Sequence, residues 1–108
     1  MPKLPEQLDP VSIKLKANVY FDGDVTSHSL THPNGTRQTV GIIRKGEYHF
    51  NTDAPERMDI LAGACRVKLA GEKDWKTYNG GQTFHVAGKS GFDIAVDNGL
   101  AEYLCSFE

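Results

Sequence analysis

This sequence has no excess of positive charge: 12 Lys and Arg stand against 14 Asp and Glu, and no run of cations offsets the balance locally. Nucleic-acid binding led by the phosphate backbone needs a positive face that displaces counterions, so no nucleic-acid partner is expected. Long apolar runs are missing too; the longest are a few residues, against roughly 20 for a membrane-crossing helix, so no membrane partner is expected. Met1 to Lys16 carries charges and Pro2, Pro5 and Pro10 where a secretory leader needs an apolar stretch, which makes a cytoplasmic location the expectation. Cysteine is limited to Cys65 and Cys105. They have neither CxxC spacing nor the number for a disulfide framework, and each lies in an alternating apolar run, the pattern of a buried, reduced thiol. No stretch sustains a helical period of apolar residues.

What is present is a chain of 108 residues, 39% hydrophobic and 24% charged, the profile of one globular domain. At this size folding buries roughly two-thirds of the unfolded surface, enough for one core without staples. Residues 1–17, broken by the three prolines, read as an N-terminal extension. Residues 18–108 change to short segments of period-2 alternation cut by turn residues, which is the signature of strands. Asn34-Gly35 predicts a tight hairpin between 25–31 and 36–44, with positive φ angles at the turn. Gly46 separates a further strand over 47–52, where Tyr48 and Phe50 alternate with Glu47, His49 and Asn51. Met58, Ile60 and Ala62, alternating with Arg57 and Asp59, mark the next strand, and Cys65, Val67 and Leu69 the one after Gly63. Strands over 75–78, 82–86, 91–96 and 101–107 bring the total to about eight or nine, a sandwich or small barrel.

Gly88-Lys89-Ser90 has the ending of a P-loop, but the earlier glycine of that motif falls on Thr83 and the residues after it alternate like a strand, where a P-loop opens a helix. Asn34-Gly35-Thr36 matches a glycosylation acceptor, which without a secretory route is only a turn. His28 and His32 lead into the hairpin and read as a solvated loop pair; were the segment a strand they would share one face but stand about 13 Å apart, too far to hold one ion. His49 and His85 lie opposite the apolar stripes of their strands, as exposed or hydrogen-bonded imidazoles do; a ligand role is the alternative. Arg37 and Glu56 flank turns at strand ends, where solvated charges are common and where small barrels also place ligand-contacting groups. Tyr48, Phe50, Phe84, Phe92 and Tyr103 serve either as core or as walls for a planar ligand.

Two segments sharpen these alternatives: Gly46-Glu47-Tyr48-His49-Phe50-Asn51-Thr52 through Pro55-Glu56-Arg57-Met58 to Gly63, and Asp74-Trp75 through Gly81-Gln82-Thr83-Phe84-His85-Val86-Ala87-Gly88. Together they resemble the two motifs of a cupin barrel, a double-stranded β-helix of the jelly-roll kind. Metal-binding cupins have a His-x-His before the glutamate and another histidine after the second motif's glycine. Those positions hold Phe50 and Thr52 here, or His49 and Asn51 with a one-residue slip, and Gly91. Ala87 stands where proline is common. One or two ligands of the usual set survive at most, which disfavours Zn, Fe or Mn chemistry.

This metal-less pattern resembles the short cupin-fold pyrimidine/purine nucleoside phosphorylases over residues 18–108, through Tyr20-Phe21-x-Gly23, Val40-Gly41-Ile42, Gly46-Glu47-Tyr48-x-Phe50-x-Thr52, Pro55-Glu56-x-Met58, Asp74-Trp75 and Tyr103-Leu104-Cys105. The resemblance implies an all-β, single-domain cupin-like barrel, homodimeric and working without cofactor or metal. It implies phosphorolysis of a broad range of purine and pyrimidine nucleosides to free base and α-D-ribose 1-phosphate. For that reaction Arg37 is the candidate for phosphate, since guanidinium holds it through two hydrogen bonds. Glu56 is the candidate for the ribose hydroxyls or the positive charge that develops on the sugar. Tyr48, Phe50, Phe84 and Tyr103 are candidate walls, and His49 or His85 a candidate aid to the departing base. Other readings are a noncatalytic cupin binding a sugar or nucleoside-like molecule, a metal-dependent dioxygenase or isomerase, and a nucleoside hydrolase.

Overall fold

A computed structural model describes residues 4–108. Its strands are β1 (Ser12–Ile13), β2 (Asn18–Tyr20), β3 (Val25–Thr31), β4 (Arg37–Asn51), β5 (Glu56–Ala62), β6 (Ala64–Leu69), β7 (Lys76–Asn79), β8 (Thr83–Val86) and β9 (Gly91–Phe107). Every pairing is antiparallel. The architecture hangs on two long strands, β4 with 15 residues and β9 with 17, which pair with each other along nearly their whole length. The end of β9 also pairs with β5, and its beginning with β6. Each long strand therefore serves both halves of a barrel, with β1-β3-β4-β9-β5-β8 running through one path and β6-β7 branching from β9.

The alternation pattern predicts four strands where the structure has these two, because a glycine that ends a run in the pattern acts as a bend in the strand. Between Arg44 and Gly46 the β4–β9 register slips, and Gly46 sits at φ 147, a backbone state that favours glycine. A Cβ on Gly46 would lie 2.5 Å from the Tyr48 hydroxyl. That hydroxyl reaches back to the carbonyls of Arg44 and Lys45, 2.9 Å from each. Tyr48 thus caps the kink. Tyr48→Phe is expected to cost about 1 kcal/mol by leaving a carbonyl at the kink unpaired, read as a lower melting temperature in thermal denaturation. Gly99, at φ 65, opens the corresponding corner of β9.

The β3–β4 hairpin forms as predicted, with Thr31 opposite Arg37. Gly35 takes the positive φ of 90, whereas Asn34 contributes through its side chain, whose oxygen accepts the Thr36 N–H at 2.9 Å. The 12–14 part of the N-terminal extension lies on the sheet edge: β1 pairs with β3, and the Lys14 N–H donates to the Ser29 carbonyl at 2.9 Å.

Inside the barrel, Val25, Ile43, Ile60, Val67 and Ile94 are buried, as the alternation requires. Cys65 and Cys105 are free and buried, and burial pushes the Cys65 thiol up to about 11. Asp59 departs from the pattern. The alternation sets it outside with Arg57, yet it is buried, its carboxylate accepting from Arg57 Nε at 3.1 Å and the Thr83 hydroxyl at 2.6 Å. Two donors compensate the lost hydration. No helix among the described residues is long and apolar enough to cross a membrane.

Candidate active site

The inner faces of β3, β4, β9 and β5 line up by register. Thr39 faces Ser29 on one side and Cys105 on the other, and Cys105 faces Met58. One step toward the open end, Arg37 pairs with Thr31 and Glu56 with Phe107; continuing the β4–β9 register sets Phe107 beside Arg37. Arg37 and Glu56 therefore stand on one row, two strands apart, about 10 Å between backbones at ordinary strand spacing. Sequence motif becomes geometry here, since both residues begin their strands at the same mouth.

Two cavities adjoin at this mouth. The inner one, about 230 Å³, is lined by Glu56, Tyr103, Cys105 and Ser27 among apolar residues that include Phe50 and Phe92. The outer one, about 280 Å³, is lined by Arg37 and Lys14 with the hydroxyl side chains Ser29, Thr31 and Thr39. Tyr20, Thr39 and Phe107 are walls of both. Together the cavities fall in the range of about 300–1,000 Å³ usual for small-molecule sites. Among the described residues the outer cavity carries two cations and no carboxylate, and neither Arg37 nor Lys14 forms a salt bridge.

Electrostatics in the inner cavity follow from burial. Glu56 is half-buried, and desolvation raises its carboxyl above the ordinary glutamate value, while a hydrogen bond with the Cys105 thiol pulls the other way. Burial also pushes the Cys105 thiol far up and the Tyr103 phenol up to about 12, the latter beside the Ser27 hydroxyl. Tyr103 and Cys105 are thus neutral donors at physiological pH, and Glu56 is the cavity's ionisable acid.

Glu56 is held in place by residues whose part the strand pattern did not reveal. The buried Thr52 donates its hydroxyl to the Ala87 carbonyl at 2.6 Å and accepts the Ser90 N–H at 3.1 Å. The Lys89 N–H donates to the Asp53 carbonyl at 3.0 Å, and the Glu108 N–H to Pro55 at 2.9 Å. The Thr52 and Asp53 bonds tie the loop before β5 to the loop after β8, and the Glu108 bond ties it to the end of β9. Gly88-Lys89-Ser90 belongs to that second loop, with Lys89 at φ 50, not to a helix-opening phosphate loop.

After Tyr20 the chain makes a strained turn that packs behind Phe50. Phe21, Asp22 and Gly23 form a single 3-10 turn with φ values of 51, 56 and 96. Left-handed non-glycine residues cost roughly 1–2 kcal/mol each, and the aromatic contacts offset this. Phe21 meets Phe50 at 5.5 Å and Tyr48 at 4.9 Å between centroids, and Tyr20 meets Phe50 edge-on at 6.0 Å.

The candidate residues divide accordingly. Glu56, Phe50 and Tyr103 line the inner cavity and Arg37 the outer one. Tyr48 is buried at the β4 kink, away from both cavity linings, and Phe84 stands behind Phe92 at 5.9 Å between centroids. His49 and His85 lie on the outside of the barrel. His49 bonds Asp93 at 2.8 Å and Asn51 at 3.0 Å, contacts that raise its pKa; His85 lies 3.3 Å from Glu108. Ser27, Thr39, Cys105, Tyr20, Phe107 and Lys14 were missed as lining residues. Alternation from Arg37 to Thr39, and from Tyr103 to Cys105 and Phe107, carries the signal for three of them; Tyr20 and Lys14 lie outside any long strand.

A metal of the kind many cupins carry does not fit this interior. His49 points outward, and among the described residues no three His, Cys, Asp or Glu side chains converge. Among the described residues that line the inner cavity, Glu56 and the protonated Cys105 are the only such side chains.

The antiparallel β-barrel has the cupin, or double-stranded β-helix, fold. The same fold occurs in an RmlC-like cupin family protein with a double-stranded β-helix from Methanocaldococcus jannaschii, with TM-score 0.64 at 13% identity, covering 89% of this chain and 91% of that one. A protein of unknown function from Acinetobacter sp. ADP1 is nearer, with TM-score 0.92 and 39% identity over 94% of this chain and 98% of its own. The model of the pyrimidine/purine nucleoside phosphorylase family matches residues 15–107. A pyrimidine/purine nucleoside phosphorylase of Methylobacillus flagellatus is 56% identical, the match covering 94% of this chain and 98% of that protein; the one from Cupriavidus necator is 54% identical, covering 94% and 95%. The chain belongs to the pyrimidine/purine nucleoside phosphorylase family.

Proposed function

We propose that this protein splits purine and pyrimidine nucleosides with inorganic phosphate, releasing free base and α-D-ribose 1-phosphate without a metal or cofactor. The observation that carries the reading is a cationic cavity and a carboxylate-bearing aromatic cavity that share three walls. Phosphate binds Arg37 in the outer cavity and the nucleoside occupies the inner one. A phosphate oxygen forms the new bond to the anomeric carbon on the face opposite the base, as the bond from that carbon to the base nitrogen breaks. Its electron pair leaves with the base, which takes up a proton from solvent. Glu56, ionised, faces the positive charge that spreads over the sugar ring in the transition state. Phe50, Phe92 and Phe107 supply stacking surface, which accepts any base because every base has an aromatic face.

Size is no obstacle to this chemistry, since phosphorolysis depends on positioning and charge stabilisation. A homodimer is part of the proposal. Ile13, Leu15 and Val19 along the N-terminal edge are 50%, 85% and 61% exposed, apolar surface of the kind a second subunit covers. The free thiols support a reducing, cytoplasmic setting.

Because burial raises the Glu56 carboxyl, the acid limb of turnover is predicted at a higher pH than an exposed glutamate gives, with activity lost as pH falls through it. Cys105→Ala removes the hydrogen bond that opposes this shift and is predicted to move the acid limb further up. A pH profile of kcat for both proteins checks this; an unmoved limb contradicts it. The function itself is tested by incubating chelator-treated protein with uridine and with adenosine, with and without phosphate, and separating the products by chromatography. Base and pentose 1-phosphate formed only with phosphate is the expected result. Base formed without phosphate means hydrolysis, and no base means a binding protein.

A further inference from the structure

We infer that Lys14, carried by the N-terminal extension, is the second cation of the phosphate subsite, so that the extension is part of the substrate site. The inference rests on the phosphorolytic reading and deepens it. Ser12 pairs with Thr31 and Ile13 with Leu30, so the register brings Lys14 beside Ser29, whose carbonyl accepts the Lys14 N–H at 2.9 Å. Alternation then fixes the face: Ser29 and Thr31 line the outer cavity, and Lys14 lines it with them, as does Arg37. On a flat sheet the two cation-bearing backbones stand about 12 Å apart, two strands across and two residues along. Two long side chains span that gap around a single phosphate.

The arm is fixed where this role requires it. Besides the Ser29 bond, the Lys14 carbonyl lies 3.1 Å from His28 Nδ1, so the backbone of Lys14 is held through both its N–H and its C=O. The His28 ring acts there as an N–H donor on Nδ1. The chemistry of the cavity matches an anion: among the described residues it has two cations, the hydroxyls of Ser29, Thr31, Thr39 and Tyr20, and no carboxylate. Arg37 offers a fork for two phosphate oxygens, and a lysine adds a mobile point charge with three donors. Their division of labour gives the subsite enough positive charge for a doubly ionised phosphate without a metal ion.

The test is kinetic and thermodynamic on the full chain. Lys14→Ala is expected to raise the phosphate KM about tenfold or more with the nucleoside KM nearly unchanged. Lys14→Arg is expected to restore most of the loss, and Lys16→Ala, on the same arm but outside the cavity, to behave as wild type. Inorganic phosphate is also titrated against melting temperature: wild type is expected to gain stability with phosphate and Lys14→Ala to gain less. An unchanged phosphate KM in an active Lys14→Ala protein overturns the inference and leaves phosphorolysis standing. Should the wild type release no base, the phosphorolytic reading fails, and the melting experiment alone decides. Equal phosphate stabilisation of both proteins, or none of wild type, then overturns the role of Lys14.

Discussion

Glu56→Gln is expected to lower kcat by about 10²–10³-fold, with a much smaller change in the nucleoside KM. The substitution keeps the size and the hydrogen-bonding capacity of the side chain and removes only its charge. A neutral amide still meets the ribose hydroxyls in the ground state. It does not oppose the positive charge that grows on the sugar as the base departs, and interactions made only in the transition state register in kcat. Half-burial strengthens the effect, because a charge in a poorly solvated cavity acts through a lower effective dielectric than one in water. The measurement is steady-state base release with uridine at saturating phosphate. A loss confined to KM would assign Glu56 to binding alone.

Arg37→Ala is expected to lower kcat/KM for phosphate by about 10²–10³-fold, most of it as a higher phosphate KM. Arg37 heads β4 at the mouth and forms no salt bridge among the described residues, so its charge is available to a ligand. Removing it takes away a bidentate contact and half of the cavity's positive charge. Arg37→Lys keeps the charge without the fork and is expected to fall between the two. Varying phosphate at fixed nucleoside separates these cases. A phosphate KM unchanged in Arg37→Ala would remove the guanidinium from the mechanism.

Much of this site can be read from alternation. Phe50, Glu56 and Tyr103 fall on inward positions of strands whose period is clear in the sequence, and His49 and His85 fall on outward ones. Bends are harder to read, because Gly46 and Gly99 end a run in the sequence and continue a strand in space. Whether glycine terminates or kinks a strand depends on partners such as Tyr48, which arrive from elsewhere in the pattern. Asp59 illustrates a second limit, since its burial is decided by Thr83 on another strand. Lys14 and Tyr20 illustrate a third: they lie in or beside strands of two and three residues, too short to show a period, and only pairing with β3 reveals which side chains these strands turn toward the cavity. The resemblance to the family rests on motifs spread over the whole barrel, and the family match spans residues 15–107.

The central claim is that phosphate, not water, attacks the sugar. It is tested most directly by turning over uridine with unlabelled phosphate in water enriched in heavy oxygen, followed by mass spectrometry of the sugar products. Phosphorolysis gives ribose 1-phosphate with no heavy oxygen in the bond between sugar and phosphorus and no labelled free ribose as a primary product. Labelled free ribose formed at the same rate with or without phosphate would contradict it.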